Sequence, residues 1–133
     1  ASGYVGPGGA MAIGAAGGIV CFYATLLVKH RLRVDDSLDV FAVHGVGGML
    51  GSLLLAVFAL PRLGGNGLAD GMSFSGQLTV QALAVGLTAV WSGVATLLIV
   101  KVLGSLTGLR VSAEEEYDGL DLSMHGERAY DFT

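Results

Sequence analysis

The stretch VFAVHGVGGMLGSLLLAVFAL, residues 40–60, contains no formally charged side chain. It reaches the ~20 residues that a helix needs to cross a hydrocarbon core ~30 Å thick. Two further stretches share this character, AMAIGAAGGIVCFYATLLV at residues 10–28 and LTVQALAVGLTAVWSGVATLLIV at residues 78–100. The sequence therefore predicts an all-α, polytopic membrane protein with three transmembrane helices, at about residues 10–29, 37–60 and 76–103.

The composition also indicates a membrane protein. The chain has 133 residues, of which 53% are hydrophobic and 14% are charged, and its mean hydropathy is +0.68. Soluble domains carry about 25% charged residues. Three fully buried helices in so short a soluble chain would leave too little polar surface to cover them. No basic cluster points to nucleic acid, and a single cysteine, Cys21, excludes a disulfide within the chain.

Basic residues mark one side of the predicted membrane. They follow the first and third helices, at Lys29, Arg31, Arg33, Lys101 and Arg110. Loops rich in Lys and Arg stay in the cytoplasm. We therefore expect residues 29–36 and everything after about 101 on the inside, and residues 61–76 on the outside. The chain divides into a transmembrane region, residues 1–111, and an acidic cytoplasmic tail, residues 112–133.

One ionisable residue, His44, lies within the predicted second span. An ionisable residue in a membrane span is a functional hypothesis by default. Because desolvation favours the neutral imidazole, His44 can offer one donor and one acceptor to a small polar solute or a proton relay. A hydrogen-bonded core histidine is the other interpretation. The remaining histidines, His30 and His125, lie outside the spans, so we expect no haem, metal or other cofactor.

Two carboxylates precede His44. Asp36 can act as the N-cap of the second helix, and Asp39 follows three residues later, which loosely matches a capping box. Both acids suit the positive end of the helix dipole. Asp39 lies at the edge of the membrane, about one turn before His44, so it could also meet a cation that arrives from inside.

Glycines recur at i and i+4 in the first two spans. Gly14 and Gly18 form one such step, and Gly47 and Gly51 form another. Small residues at this spacing let helix backbones approach closely in lipid. The pattern predicts tight packing and names no function.

These residues resemble a known family. The run RVDDSLDVFAVHGVGGMLG, residues 33–51, resembles the tenth-helix signature of the ammonium transporters, in the Amt branch of the Amt/Mep/Rh family. The similarity covers essentially the whole chain, in order. It includes ASGYVGPGGAMAIG at the ninth helix, LGGNGLADG (63–71) in the outer loop, AVWSGV (89–94) at the eleventh helix and GLRVSAEEEYDGLDLSMHGERAY (108–130) in the tail.

The resemblance implies an eleven-helix fold, of which this chain is the C-terminal part with the last three helices. It implies that His44 is the second histidine of a pore-lining pair, that Val40 lines the pore one turn away, and that Asp39 is an acid at the inner end. It further implies a homotrimer in the plasma membrane, surrounded by lipid, that carries ammonium or ammonia to the cytoplasm. A PII-type signalling protein could dock at the cytoplasmic face, where the tail lies.

Three functional interpretations stay open. The first is ammonium transport, with the missing histidine supplied from outside this chain. The second is an ammonium sensor that signals through residues 112–133. The third is a non-functional truncated product. An enzyme is not expected, because the sequence contains no nucleophile–base pair, phosphate loop or metal-ligand spacing.

Overall fold

The computed structural model describes residues 3–128 and 130. Within them all regular structure is helical, and there is no strand. The elements run in the order α1 (Pro7–Leu26), a first π-turn (Leu27–Arg31), a second π-turn (Val40–Gly45), α2 (Val46–Phe58), a 3₁₀ turn (Pro61–Leu63), α3 (Phe74–Leu106), α4 (Ala113–Asp118) and α5 (Leu120–His125). The all-α prediction is confirmed for this part of the chain.

Three helical stretches are long and apolar enough to cross a membrane, namely Pro7–Arg31, Val40–Phe58 and Phe74–Leu106. The first begins earlier than expected because Pro7 suits the first turn of a helix, where no N–H partner is lost. The second begins later than expected, at Val40. The third has 33 residues and is about 50 Å long at 1.5 Å per residue, so it exceeds the hydrocarbon core and must tilt or extend beyond it.

The chain forms two compact units, one up to Ala89 and one from Val90 onward. In the first unit, α1 packs along α2 and the second π-turn. Gly9 lies against the Phe58 side chain, where an added Cβ would sit 3.2 Å from Phe58 Cβ, and Cys21 lies against Gly47. Since the early part of α1 meets the end of α2 and the late part meets its start, the two helices run antiparallel.

The N-terminal segment is fastened to the loop after α2. The Asn66 backbone N–H donates to the Tyr4 carbonyl at 3.0 Å, and the Asn66 side-chain amide donates to the Gly3 carbonyl. Gly6 crosses Gly64 so closely that a Cβ on Gly6 would contact the Gly64 backbone. These contacts hold the N-terminal segment against the loop after α2, which is the predicted outer loop.

Glycine packing differs in detail from the prediction. A Cβ built on Gly14 or Gly18 would meet nothing within 4 Å among the described residues, so this GxxxG step does not lie at the α1–α2 contact. The close approaches are made instead at Gly9 and Gly47. The step at Gly14 and Gly18 stands open on the surface of α1.

Few side chains are buried in the described part of the chain, and they are small. The fully covered hydrophobic residues are Val28, Ala42, Ala56 and Ala59. Helix α3, described over its whole length, has no buried residue. Large apolar side chains such as Leu83, Leu87 and Trp91 are exposed on it. Such apolar surface suits contact with lipid tails or with further protein rather than with water.

In the second unit, the acidic segment after α3 folds into two short helices. Ser112 caps α4 in a reciprocal capping box: the Glu115 N–H donates to Ser112 Oγ at 3.2 Å, and the Ser112 N–H donates to Glu115 Oε2 at 2.9 Å. Arg110 pairs with Glu116 at 3.1 Å. Capping boxes satisfy two otherwise unpaired N–H groups, so α4 has a defined start.

The capping box makes α4 sensitive to pH. The Ser112 N–H, and then its hydroxyl, hold the pKa of Glu115 below its ordinary value. A lowered pKa stabilises the helix at pH values above that ordinary value, and this stabilisation is lost as the pH falls through the lowered pKa. We expect Ser112→Ala to raise the pKa of Glu115 toward the ordinary value, measured by NMR titration of its side chain. Ser123→Ala is the control because Ser123 bonds to Gly119 instead. Equal pKa values in both variants would contradict the assignment.

Candidate functional site

The second π-turn carries the two candidate pore residues, Val40 and His44. Sequence analysis predicts one continuous α-helix here, but residues Val40–Gly45 form a π-turn, in which the Val46 N–H donates to the Phe41 carbonyl five residues earlier. Turns of this kind are rare and occur frequently at functional sites. His44 therefore sits just before the first residue of α2, not inside a regular α-helix.

The two sides of this π-turn differ in exposure. Ala42 is 0% exposed and packs the turn against the rest of the first unit. Val40 is 53% exposed, and His44 is also exposed. The turn is therefore anchored through Ala42, while the side chains of Val40, Phe41, Val43 and His44 all lie on the exposed surface.

Asp36 fixes the start of the turn. Its Oδ1 accepts from the Val40 N–H at 2.8 Å, and its Oδ2 accepts from the Phe41 N–H at 2.9 Å. These are N–H groups that the turn itself leaves unsatisfied, and a capping carboxylate of this kind stabilises a helix by about 1 kcal/mol. The N-cap position predicted for Asp36 is wrong, because the N-cap residue is Asp39; the Asp36 carboxylate bonds the first two N–H groups from three residues upstream. The proposed capping box with Asp39 does not form, because Asp39 makes no side-chain cap.

Asp39 is held in an uncommon backbone conformation. Its φ of 55° and ψ of 31° place it in the left-handed region. For a residue other than glycine this costs roughly 1–2 kcal/mol. Its carbonyl accepts from the Val43 N–H at 2.8 Å, which ties the strained residue into the turn.

An ion pair joins Asp39 to Lys29 of the first π-turn. Lys29 Nζ lies 2.9 Å from Asp39 Oδ1, an oxygen that is shielded from solvent and that accepts no hydrogen bond of good geometry from the described residues. The side chains are 37% and 29% exposed, respectively, so the pair is half-buried. The carboxylate that sequence analysis offered to an arriving cation thus already faces an ammonium group. A cation that reached Asp39 would have to compete with Lys29.

Behind the turn lies the only cysteine of the sequence. The Cys21 thiol on α1 donates to the Val43 carbonyl at 3.7 Å, a weak bond, and its Sγ would lie 3.1 Å from a Cβ on Gly47. A larger residue at 47 would push against Cys21. The absence of a side chain at Gly47 thus lets α1 approach the base of the His44 turn.

Lys29 is the functional candidate that sequence analysis missed. The sequence assigns it only to the basic group that sets orientation, since nothing in the spacing of Lys29 and Asp39 predicts their contact. The site carries the imidazole of His44 and the apolar side chain of Val40 on the same turn. At the start of that turn, the Asp39 carboxylate is paired with the Lys29 ammonium group. Among residues 3–128 and 130, no group of three His, Cys, Asp or Glu side chains could hold a metal ion.

The helices and the candidate site together indicate the class of protein. Three apolar helices of spanning length, one of which carries an ionisable side chain, His44, in its first turn, describe an α-helical membrane protein. A profile of the Ammonium Transporter Family matches residues 1–130. The chain belongs to the ammonium transporter family.

Curated relatives come from distant organisms. An ammonium transporter of Archaeoglobus fulgidus is 42% identical over 131 residues, which cover 98% of this chain and 33% of the relative. One of Bacillus subtilis is 38% identical over 98% of this chain and 32% of the relative. One of Dictyostelium discoideum is 36% identical over 98% and 28%, respectively. The chain spans about a third of the length of these relatives.

Proposed function

We propose that this chain contributes one side of an ammonium-conducting pore, with His44 and Val40 lining it and Asp39 at its inner end. The observation that carries the proposal is the exposed His44 on an anchored turn at the start of an apolar span. A histidine left facing lipid would be costly, so it should face a cavity. The names of the relatives, all ammonium transporters, point to the solute.

The physical chemistry of the site suits this solute. An apolar lumen resists a bare cation because the cation would lose its hydration there. A neutral imidazole can replace part of that hydration with a hydrogen bond, or pass a proton, where water is scarce. Val40 supplies the apolar wall and His44 the polar contact. Ammonia, or ammonium that gives up its proton, meets both requirements.

The proposal extends to the parts that this chain does not supply. The first histidine of the pair and the rest of an eleven-helix pore would come from residues outside the printed sequence, with this chain as the C-terminal part. Three such subunits would form a homotrimer in the plasma membrane, with residues 112–133 in the cytoplasm and available to a PII-type signalling protein. The open GxxxG step on α1 and helix α3, which has no buried residue, supply surfaces for that assembly.

A flux measurement tests the proposal. The protein, purified in the form its cell makes, is reconstituted in liposomes, and uptake of labelled methylammonium is followed with ammonium as competitor. We expect uptake that saturates and that ammonium suppresses. Uptake no faster than in empty liposomes would contradict the proposal. The intact mass of the same sample tests the assembly: a mass about three times 13.5 kDa is expected, since the chain covers 33% of its relative in Archaeoglobus fulgidus.

A further inference from the structure

The segment between the two π-turns is constrained at both ends. Arg33, just after the first turn, and Asp39, at the start of the second, both adopt positive φ, 53° and 55°. Between them the chain reverses from the end of α1 to the start of the His44 turn. Two left-handed non-glycine residues in one short segment indicate that the surrounding contacts hold the backbone in place.

Those contacts converge on the entry to the His44 turn. Asp36 clamps the first two N–H groups of the turn, and Ala42 anchors the turn from behind. The Asp39 backbone is held by two hydrogen bonds: its N–H donates to the Asp36 carbonyl at 3.2 Å, and its carbonyl accepts from the Val43 N–H at 2.8 Å. The Asp39 side chain is fixed by the ion pair with Lys29.

We propose that Lys29 is a positioning residue for the pore: through Asp39 it sets the orientation of the turn that carries Val40 and His44. This inference rests on the proposed function. Lys29 lies in a π-turn that continues α1 directly, so it belongs to the same helical stretch that packs along α2. The ion pair therefore ties the start of the second span to the end of the first. Its role is geometric, and Lys29 itself need not touch the solute.

The strength of the pair makes this role separable from folding. Both side chains keep about a third of their surface exposed, so Asp39 can turn toward water when Lys29 is lost, and the cost to stability is smaller than for a fully buried pair. Losing the pair should therefore leave an assembled protein. It should also remove the contact that ties Asp39 to the end of the first span, and so shift the two lining side chains. A shift of a positioned group changes how well it discriminates between solutes, whereas a loss of folded protein lowers all rates in proportion.

The experiment compares charge variants of the whole protein in liposomes. Lys29→Met removes the charge and keeps the length of the side chain; Lys29→Arg keeps the charge. Arg31→Met is the matched control, because Arg31 is an exposed base in the same π-turn. For each variant we measure the amount of assembled protein, the flux of ammonium and of methylammonium, and the ratio of the two fluxes.

We expect Lys29→Met to assemble normally, to lower flux about tenfold and to change the ratio of the two fluxes, as a displaced group would. Lys29→Arg should restore both quantities. Exchanging the charges, with Lys29→Asp and Asp39→Lys together, should recover more flux than either single change gives. Arg31→Met should behave as the unmodified protein.

Two results would overturn the inference. The first is that Lys29→Met matches Arg31→Met in flux and ratio. The second is that Lys29→Met and Asp39→Asn both fail to assemble, because the pair would then support the fold rather than the turn. A parallel His44→Ala sample distinguishes a failure of the inference about Lys29 from a failure of the proposed function. If it loses flux while Lys29→Met does not, the inference fails and the proposed function stands. If His44→Ala transports normally, the proposed function fails.

Discussion

His44→Ala should lower ammonium flux by about 10- to 100-fold while leaving the amount of assembled protein unchanged. A hydrogen bond to a desolvated polar solute contributes about 1–3 kcal/mol, and each ~1.4 kcal/mol changes a rate tenfold. Since His44 is exposed on its turn, its removal leaves no packing defect within this chain. The measurement is stopped-flow or radiotracer flux in liposomes, normalised to the assembled protein. Unchanged flux and unchanged selectivity would reject the role of His44.

The control for this variant is His30→Ala. His30 is an exposed histidine in the first π-turn, outside the proposed lumen, and its loss should leave flux unchanged. His44→Asn adds a further distinction, because an asparagine amide offers donors and an acceptor but does not titrate. Recovery of flux in His44→Asn would assign a hydrogen-bonding role to the imidazole. Continued loss would assign it a proton-carrying role.

The sequence alone is sufficient to predict the helices of the fold. Long apolar stretches without charges leave little alternative to membrane helices, so three spans follow from length and composition alone. The helix ends are less predictable. The second span begins at Val40 rather than near 37, because Asp36 caps from a distance and Asp39 leaves the helical region.

The π-turns could not be predicted from the letters VFAVHG. The same apolar letters are compatible with an α-turn and with a π-turn, which differ in the carbonyl that each N–H reaches and therefore in the face on which the following side chains lie. The choice depends on long-range contacts: the pair between Lys29 and Asp39, and the burial of Ala42. By contrast, the capping box in the tail is readable, since Ser112 and Glu115 have the required spacing. Sequence analysis described that segment only as an acidic tail, so it did not predict the capping box.

Gly65→Ala should destabilise the first unit by about 3 kcal/mol, at the upper end of what overpacking costs. A Cβ on Gly65 would fall on the backbone of Ala59, which is 3% exposed and cannot move aside as a flexible side chain could. The same backbone is already engaged, because the Ala59 carbonyl accepts from the Gly67 N–H at 2.8 Å. The loop would have to leave the end of α2.

The facing N-terminal segment supplies two variants for comparison with this prediction. Gly6→Ala should be similarly harmful, because its Cβ would contact the Gly64 backbone, whereas Gly8→Ala meets nothing within 4 Å. All three replace glycine by alanine, so they share the gain of up to ~1 kcal/mol from a less flexible unfolded chain. The measurement is the fraction of protein that stays monodisperse after heating in detergent. Gly6→Ala and Gly65→Ala should lose it at lower temperature than Gly8→Ala. If all three lose it at the same temperature, the close crossing of the two segments does not hold this end of the helix pair together.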